Sequence, residues 1–250
     1  LVPVYLGHKL LQVALLGTNL VAWGIYNGLL GGVTACLLFW FGRLVRLNVF
    51  EAFAFALIVV LGEQSVLWWR HLHGEGIGLF LTSAALLCIP MSTRNAEHAR
   101  LWRTLFVVVA IGAALSKESF ILLLPALAFG LMVHTRRIDG GTWRDAVLRN
   151  VVPVIVLASV CVVLVGTIAL AFDRTHFEYT GWKGFSAVQF AFIAAEFFGG
   201  GRFWLVALAA SACVAGYRAL GNDGALRRRG LEDAGALGVL VGLILVPQFL

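Results

Sequence analysis

Glu63, Arg70, His71, His73 and Glu75 fall within 13 consecutive positions, in the stretch GEQSVLWWRHLHGEG that also carries Trp68 and Trp69. A second polar group, Ser116, Lys117, Glu118 and Ser119, interrupts a long apolar run, and a third, DRTHFEYTGWKG, supplies Asp173, Arg174, His176, Glu178, Tyr179, Trp182 and Lys183, with Arg202 further on. Guanidinium, ammonium and imidazole groups suit phosphate or pyrophosphate. Carboxylates beside aromatic planes suit sugar hydroxyls and ring faces. A lipid-linked sugar phosphate would satisfy both sets at once, and an anionic lipid headgroup would satisfy the cations alone.

Lys117 and Glu118 are the most informative pair, because residues 104–133 are otherwise uncharged. Ionised groups near membrane depth are costly and normally face a partner or a polar cavity. The same residues would also serve as the turn of a short hairpin, reaching the headgroups by snorkelling. Tryptophans at this depth form interfacial belts without any ligand. His71 and His73 stand two apart, which matches no helical metal pair, so phosphate partners or ordinary loop histidines are the readings they allow. Cys36, Cys88, Cys161 and Cys213 all lie inside apolar runs without CxxC or CxxH spacing, which argues against a zinc site or a disulfide framework. A divalent metal as cofactor stays open; no metal ligand is assigned.

These side chains need elements to hold them, and composition fixes what kind. Of 250 residues 60% are apolar and 13% charged, with a mean hydropathy of +0.91. That excludes an ordinary water-soluble domain. The net charge of +6 is read as a topology signal and not as a nucleic-acid footprint. A helix needs about 20 residues to cross ~30 Å of hydrocarbon. Apolar runs place spans at about 24–42, 50–62, 77–91, 104–115, 119–133, 151–172, 203–217 and 234–250, the strongest being 151–172, which has 22 residues and no charge. Residues from Leu10 to about 24 are expected to form a membrane-surface helix, with Gly24, Asn27 and Gly28 marking the break. The expected fold is an all-α polytopic transmembrane bundle of about eight spans plus interfacial helices, forming one domain over 1–250.

Thirteen arginines support this parity: Arg43 and Arg46, Arg94, Arg100 and Arg103, Arg136, Arg137, Arg144 and Arg149, and Arg218 with Arg227, Arg228 and Arg229 occupy alternate loops. Cytoplasmic loops collect such residues. The six remaining cations, Lys9, Arg70, Lys117, Arg174, Lys183 and Arg202, fall on the other side with the polar groups above. The scheme requires FSAVQFAFIAAEFF (185–198) to lie along the outer interface. An additional span there is the alternative.

With the segments in this order, the chain resembles the GT-C superfamily of integral-membrane glycosyltransferases, in the branch of protein O-mannosyltransferases and transmembrane-and-tetratricopeptide-repeat mannosyltransferases. GTNLVAWGIYNGLLGGVTACLLFWFGRLVRL is similar to that branch's second helix, with Asn27 in place and Gly31 where a His is common. FAFALIVVLGEQSVLWWRHLHGEGIGLFLTSAAL matches through Glu63, Trp68 or Trp69, and Arg70, while Leu61 and Gly62 replace a His-Pro pair. AIGAALSKESFILLLPALAFGLM matches the Ser-Lys-Glu and Pro pattern through Ser116, Lys117, Glu118 and Pro125, and Val246 with Pro247 is reminiscent of a later helix. The matches cover about half the chain.

The resemblance implies a polyprenyl-phosphate-linked donor, transfer at the outer face and inversion at the sugar carbon. It places the catalytic carboxylate in a first outer loop that would precede Leu1, so the sequence is expected to be a piece truncated at both ends. The expected activity is glycosyl transfer from that donor to a protein, lipid or glycan acceptor. Membrane lipid is the other expected partner and nucleic acid is not one. Residence is expected in the plasma (inner) membrane of a bacterium or the endoplasmic reticulum of a eukaryote. Substrate-binding roles fall to Glu63, Arg70, His71, His73, Glu75, Lys117, Glu118, Lys183 and Arg202. A transporter or flippase for a lipid-linked substrate, and a non-catalytic scaffold that keeps the fold, are the competing classes.

Overall fold

A computed structural model describes residues 3–61, 74–94, 97–173, 211–212, 214, 216 and 224–245. The described residues form helices and no strand. Two compact units divide the chain, Leu1–Ile168 and Ala169–Leu250.

The first unit opens with α1 (Pro3–Leu16) and α2 (Leu20–Leu44). They part at Gly17, whose φ of +57° is left-handed and suits glycine. Asn19 then caps α2, its side-chain oxygen accepting from the amides of Val21 and Ala22 at 3.1 Å each. The break therefore falls several residues before the expected one, and Gly24, Asn27 and Gly28 lie inside a continuous helix. Glycine lowers helix propensity only modestly, whereas a left-handed turn followed by a side-chain cap ends one helix and starts the next.

A tight turn leads to α3 (Val49–Leu61), where Asn48 and Glu51 cap each other reciprocally: the Glu51 amide donates to Asn48 Oδ1 at 2.9 Å and the Asn48 amide to Glu51 Oε2 at 2.8 Å. Close packing of the hairpin depends on Gly42, where a Cβ would stand 3.0 Å from the Cβ of Ala52. Next come α4 (Glu75–Arg94), α5 (Ala99–Ala114), the single turn α6 (Glu118–Ile121), α7 (Leu124–Asp139), the short α8 (Trp143–Arg149) and α9 (Val151–Asp173). Pro125 sits in the first turn of α7, where its missing amide donor costs nothing. A left-handed Gly140 ends α7, and a reciprocal Thr142–Asp145 capping box starts α8.

Small residues let the helices approach closely, as in lipid-embedded bundles. Ala85 and Cys88 of α4 pack with Ala110 and Ala114 of α5, and Phe106, Leu124, Leu131 and Leu157 fill the space between α5, α7 and α9. Outward faces are apolar and bare: in α9 only 11% of the most apolar window is buried. In water such faces would be unfavourable, so lipid is the medium that covers them.

Four described helical stretches, Leu20–Leu44, Glu75–Arg94, Glu118–Asp139 and Val151–Ile168, are long and apolar enough to cross a membrane. The chain is therefore read as a membrane protein. The apolar α3 and α5, with 13 and 16 residues, are shorter.

In the second unit α10 (Gly224–Leu245) is described, together with helical Ser211, Ala212, Val214 and Gly216. Arg227, Arg228 and Arg229 belong to the opening turns of α10 and not to a loop, a correction to the sequence expectation. Arg228 reaches Glu232 one turn on, at 3.4 Å, a pairing that supports helix. The expected interfacial segment 185–198 lies outside the described residues.

Candidate functional site

Helix direction sorts the polar residues of the first unit into two ends. Thr93 Oγ1 at the end of α4 meets His134 Nε2 near the end of α7 at 3.0 Å, and an Arg103 N–H near the start of α5 donates to the Arg149 carbonyl of α8 at 3.1 Å. Asn150, fully buried between α8 and α9, donates to Thr135 Oγ1 at 3.0 Å and to the Ala146 carbonyl at 2.8 Å. The Arg136 guanidinium lies 4.6 Å over the Trp143 ring, which stacks on Phe129. Arg43, Arg46, Arg94, Arg100, Arg103, Arg136, Arg137, Arg144 and Arg149 all collect at this end.

At the opposite end the Lys117 ammonium forms an ion pair with the Glu75 carboxylate. Glu75 opens α4, while Lys117 occupies the extended link between α5 and α6. The link turns there because Ser116, buried, folds back to donate to the Ala113 carbonyl at 2.6 Å. Two glycines of this region have no room for a side chain. A Cβ on Gly74 would meet the Ser116 carbonyl oxygen at 2.6 Å, and one on Gly78 would meet Ser116 Oγ and the Phe120 ring at 2.5 Å. Glu118 stands exposed at the first position of α6.

The pair is walled by the start of α1. The Val4 amide donates to the Leu115 carbonyl at 3.2 Å, and the Tyr5 ring would touch a Cβ on Gly74 at 3.4 Å. Burial first, and then the negative charge of Glu75, raise the Tyr5 phenol above its ordinary value of 10.0. Along α1, Tyr5, His8, Lys9 and Gln12 follow the i, i+3, i+4, i+7 spacing of one helix face. This face turns inward. His8 Nε2 lies 2.9 Å from the Tyr26 hydroxyl, and the Lys9 ammonium lies 5.1 Å from the Trp23 ring centroid and donates to Gln12 Oε1 at 2.8 Å. Leu6, Leu10, Leu11 and Leu15 point outward, exposed. The helix is amphipathic in the sense opposite to that of a water-soluble protein. Burial lowers the Lys9 ammonium, and burial followed by the charge of Lys9 lowers the His8 imidazole.

Of the nine residues expected from sequence to bind substrate, Glu75, Lys117 and Glu118 are described, and the structure joins the first two. Glu63, Arg70, His71, His73, Lys183 and Arg202 lie outside the described residues. Tyr5, His8, Lys9, Gln12 and Tyr26 stand outside that set. The signal for α1 is present in the sequence: four polar side chains at helical spacing inside a leucine-rich segment. Among the described residues no group of three or more His, Cys, Asp or Glu is placed to hold a metal ion. No protein-family model, curated protein or solved structure matches this chain.

Proposed function

We propose that the chain is the membrane-embedded part of a GT-C-type glycosyltransferase of about eight spans, moving a sugar from a polyprenyl-phosphate-linked donor to a protein, lipid or glycan acceptor. Transfer occurs at the membrane face opposite the arginine-rich end. One observation supports this reading above the others. The carboxylate of Glu75 and the ammonium of Lys117 come from two separate helix junctions and close together at that face, beside the Tyr5 ring of α1.

As the bond between sugar and phosphate breaks, negative charge grows on the leaving phosphate, and fixed cations lower the cost of that charge. Lys117, with Arg70, Lys183 and Arg202, supplies them. Glu75 holds Lys117 in place before the donor arrives, and Glu63 and Glu118 orient sugar hydroxyls together with His71 and His73. The apolar outer faces of the helices leave the polyprenyl tail in lipid.

A second reading, a non-catalytic scaffold, is favoured by the fact that Lys117 already has a carboxylate partner. One experiment separates the two: transfer of radiolabelled sugar from a polyprenyl-phosphate donor by the protein in detergent, wild type against Lys117→Ala, Glu75→Gln and Glu118→Ala. The enzyme reading expects Lys117→Ala to slow transfer by about 100-fold while the fold is retained. Equal transfer by all four proteins removes these residues from the site, and no transfer by wild type supports the scaffold.

A further inference from the structure

We infer that the corner formed by the end of α7, by α8 and by the start of α9 is a docking surface for an anionic phospholipid, whose phosphate meets Arg144 while its acyl chains lie along exposed apolar side chains of α8 and α9. The surface belongs to the arginine-rich end, away from the Lys117–Glu75 pair, and stands whether or not the chain transfers a sugar.

Depth in the membrane comes first. The apolar stretch that contains α7 ends at Asp139 and the next begins at Val151, so α8 lies between two span ends, at the border of hydrocarbon and headgroups. Ala146 and the capping Asn150, both buried, hold α8 against the bundle. Trp143 is fixed by its stack on Phe129 and by the Arg136 guanidinium over its ring. The rest of the helix leaves Trp143, Val147 and Leu148 exposed, and exposed Val151, Val152 and Ile155 follow in α9. An apolar side on a helix at this depth is the pattern of a segment lying in the interface.

Arg144 carries the inference. Val147 and Leu148 stand three and four residues beyond it, so its guanidinium rises from the same side of α8 as these apolar groups. It is exposed, and among the described residues it makes no hydrogen bond or ion pair. The nearby carboxylates are engaged elsewhere: Asp139 pairs with Arg149 at 2.7 Å, and Asp145 accepts from the Thr142 amide at 3.0 Å and its hydroxyl at 2.7 Å. From 136 to 150 four arginines outnumber these two aspartates, and Arg103 adds a fifth where it donates to the Arg149 carbonyl. A guanidinium beside apolar side chains at headgroup depth matches a phosphate with hydrocarbon attached. The surplus of positive charge selects a lipid of net negative charge over a zwitterionic one.

The test uses the whole chain in dodecyl maltoside, with dioleoyl phosphatidylglycerol or dioleoyl phosphatidylcholine added, and reads the apparent Kd of the first bound lipid by native mass spectrometry. Wild type is expected to bind phosphatidylglycerol about fivefold or more tightly than phosphatidylcholine. Arg144→Gln is expected to weaken phosphatidylglycerol about fivefold, the worth of one arginine at an anionic surface, at an unchanged unfolding temperature because it removes no contact within the protein. Arg46→Gln removes the same charge at the same end, in the turn between α2 and α3, and is expected to leave that affinity within about twofold of wild type. Equal affinity of wild type for the two lipids, unchanged affinity in Arg144→Gln, or an equal loss in Arg46→Gln overturns the inference. A dimer that comes apart in Arg144→Gln, with no lipid bound in wild type, makes a second copy the occupant and overturns it as well.

Discussion

Lys117 closes on Glu75 across 42 residues of sequence, joining the start of α4 to the link between α5 and α6. The side chains are 39% and 17% exposed, so the pair lies between a solvated surface bridge and a buried one. Removing one partner leaves the other charge partly desolvated. Glu75→Gln and Lys117→Met are each expected to cost about 1–3 kcal/mol, and the double variant to recover most of that loss. A double-mutant cycle from denaturation in detergent measures the coupling.

Glycine 78 gives α4 its close approach to Ser116 and Phe120. Gly78→Ala would place a Cβ 2.5 Å from both, and relieving that overlap in a packed core costs about 1–3 kcal/mol. Among the described residues, no atom lies within 4 Å of a Cβ built on Gly24, Gly28 or Gly32. Their alanine variants are expected to be neutral or to stabilise α2 by a few tenths up to about 1 kcal/mol. Thermal denaturation of the four variants checks the contrast, and equal effects at all four positions would contradict the packing described.

Much of this was legible in the sequence because lipid imposes a simple rule: long uncharged runs become helices. The run at 151–172 is α9 almost to the residue, and Lys117 and Glu75 each stand out as charges beside apolar stretches. Their pairing was not legible, since nothing in spacing links positions 42 apart. Glycines suggested a break near Gly24, yet the break follows Gly17 and Asn19, where a left-handed turn and a cap outweigh propensity. The inward face of α1 is harder to read for a physical reason. In a soluble helix its leucines would be the buried side, and only the lipid setting reverses which face counts as interior. Arg227, Arg228 and Arg229 suggested a loop by charge alone, whereas Glu232 is placed to support them in helix.

The His8 imidazole sets an acid limit on stability. Burial and the neighbouring Lys9 lower its folded-state affinity for protons, so below about pH 6.5 the unfolded chain binds more protons than the folded one. This contribution is therefore present above about pH 6.5 and is lost as the pH falls. Charging His8 would also set a second cation beside Lys9. His8→Phe is expected to flatten the fall in unfolding temperature between pH 7.5 and pH 5. An unchanged slope in that variant would show that the imidazole does not titrate in this range.

Sidedness is the remaining consequence, and α5 tests it most directly. Only this helix separates exposed Arg100, at the arginine-rich end, from exposed Ser119, beside Lys117. At 16 residues and ~1.5 Å per residue, α5 is shorter than a ~30 Å hydrocarbon layer. To cross, it would need α4 and α7 to cover its ends and the bilayer to thin locally. With Cys36, Cys88, Cys161 and Cys213 replaced by alanine, Ser119→Cys is expected to react with a membrane-impermeant maleimide on intact cells. Arg100→Cys and Arg144→Cys should react only after permeabilisation, because arginine-rich ends stay cytoplasmic. Labelling of Ser119→Cys and Arg100→Cys in the same compartment would mean that α5 does not cross, and the Lys117–Glu75 pair would then share its face with the arginines.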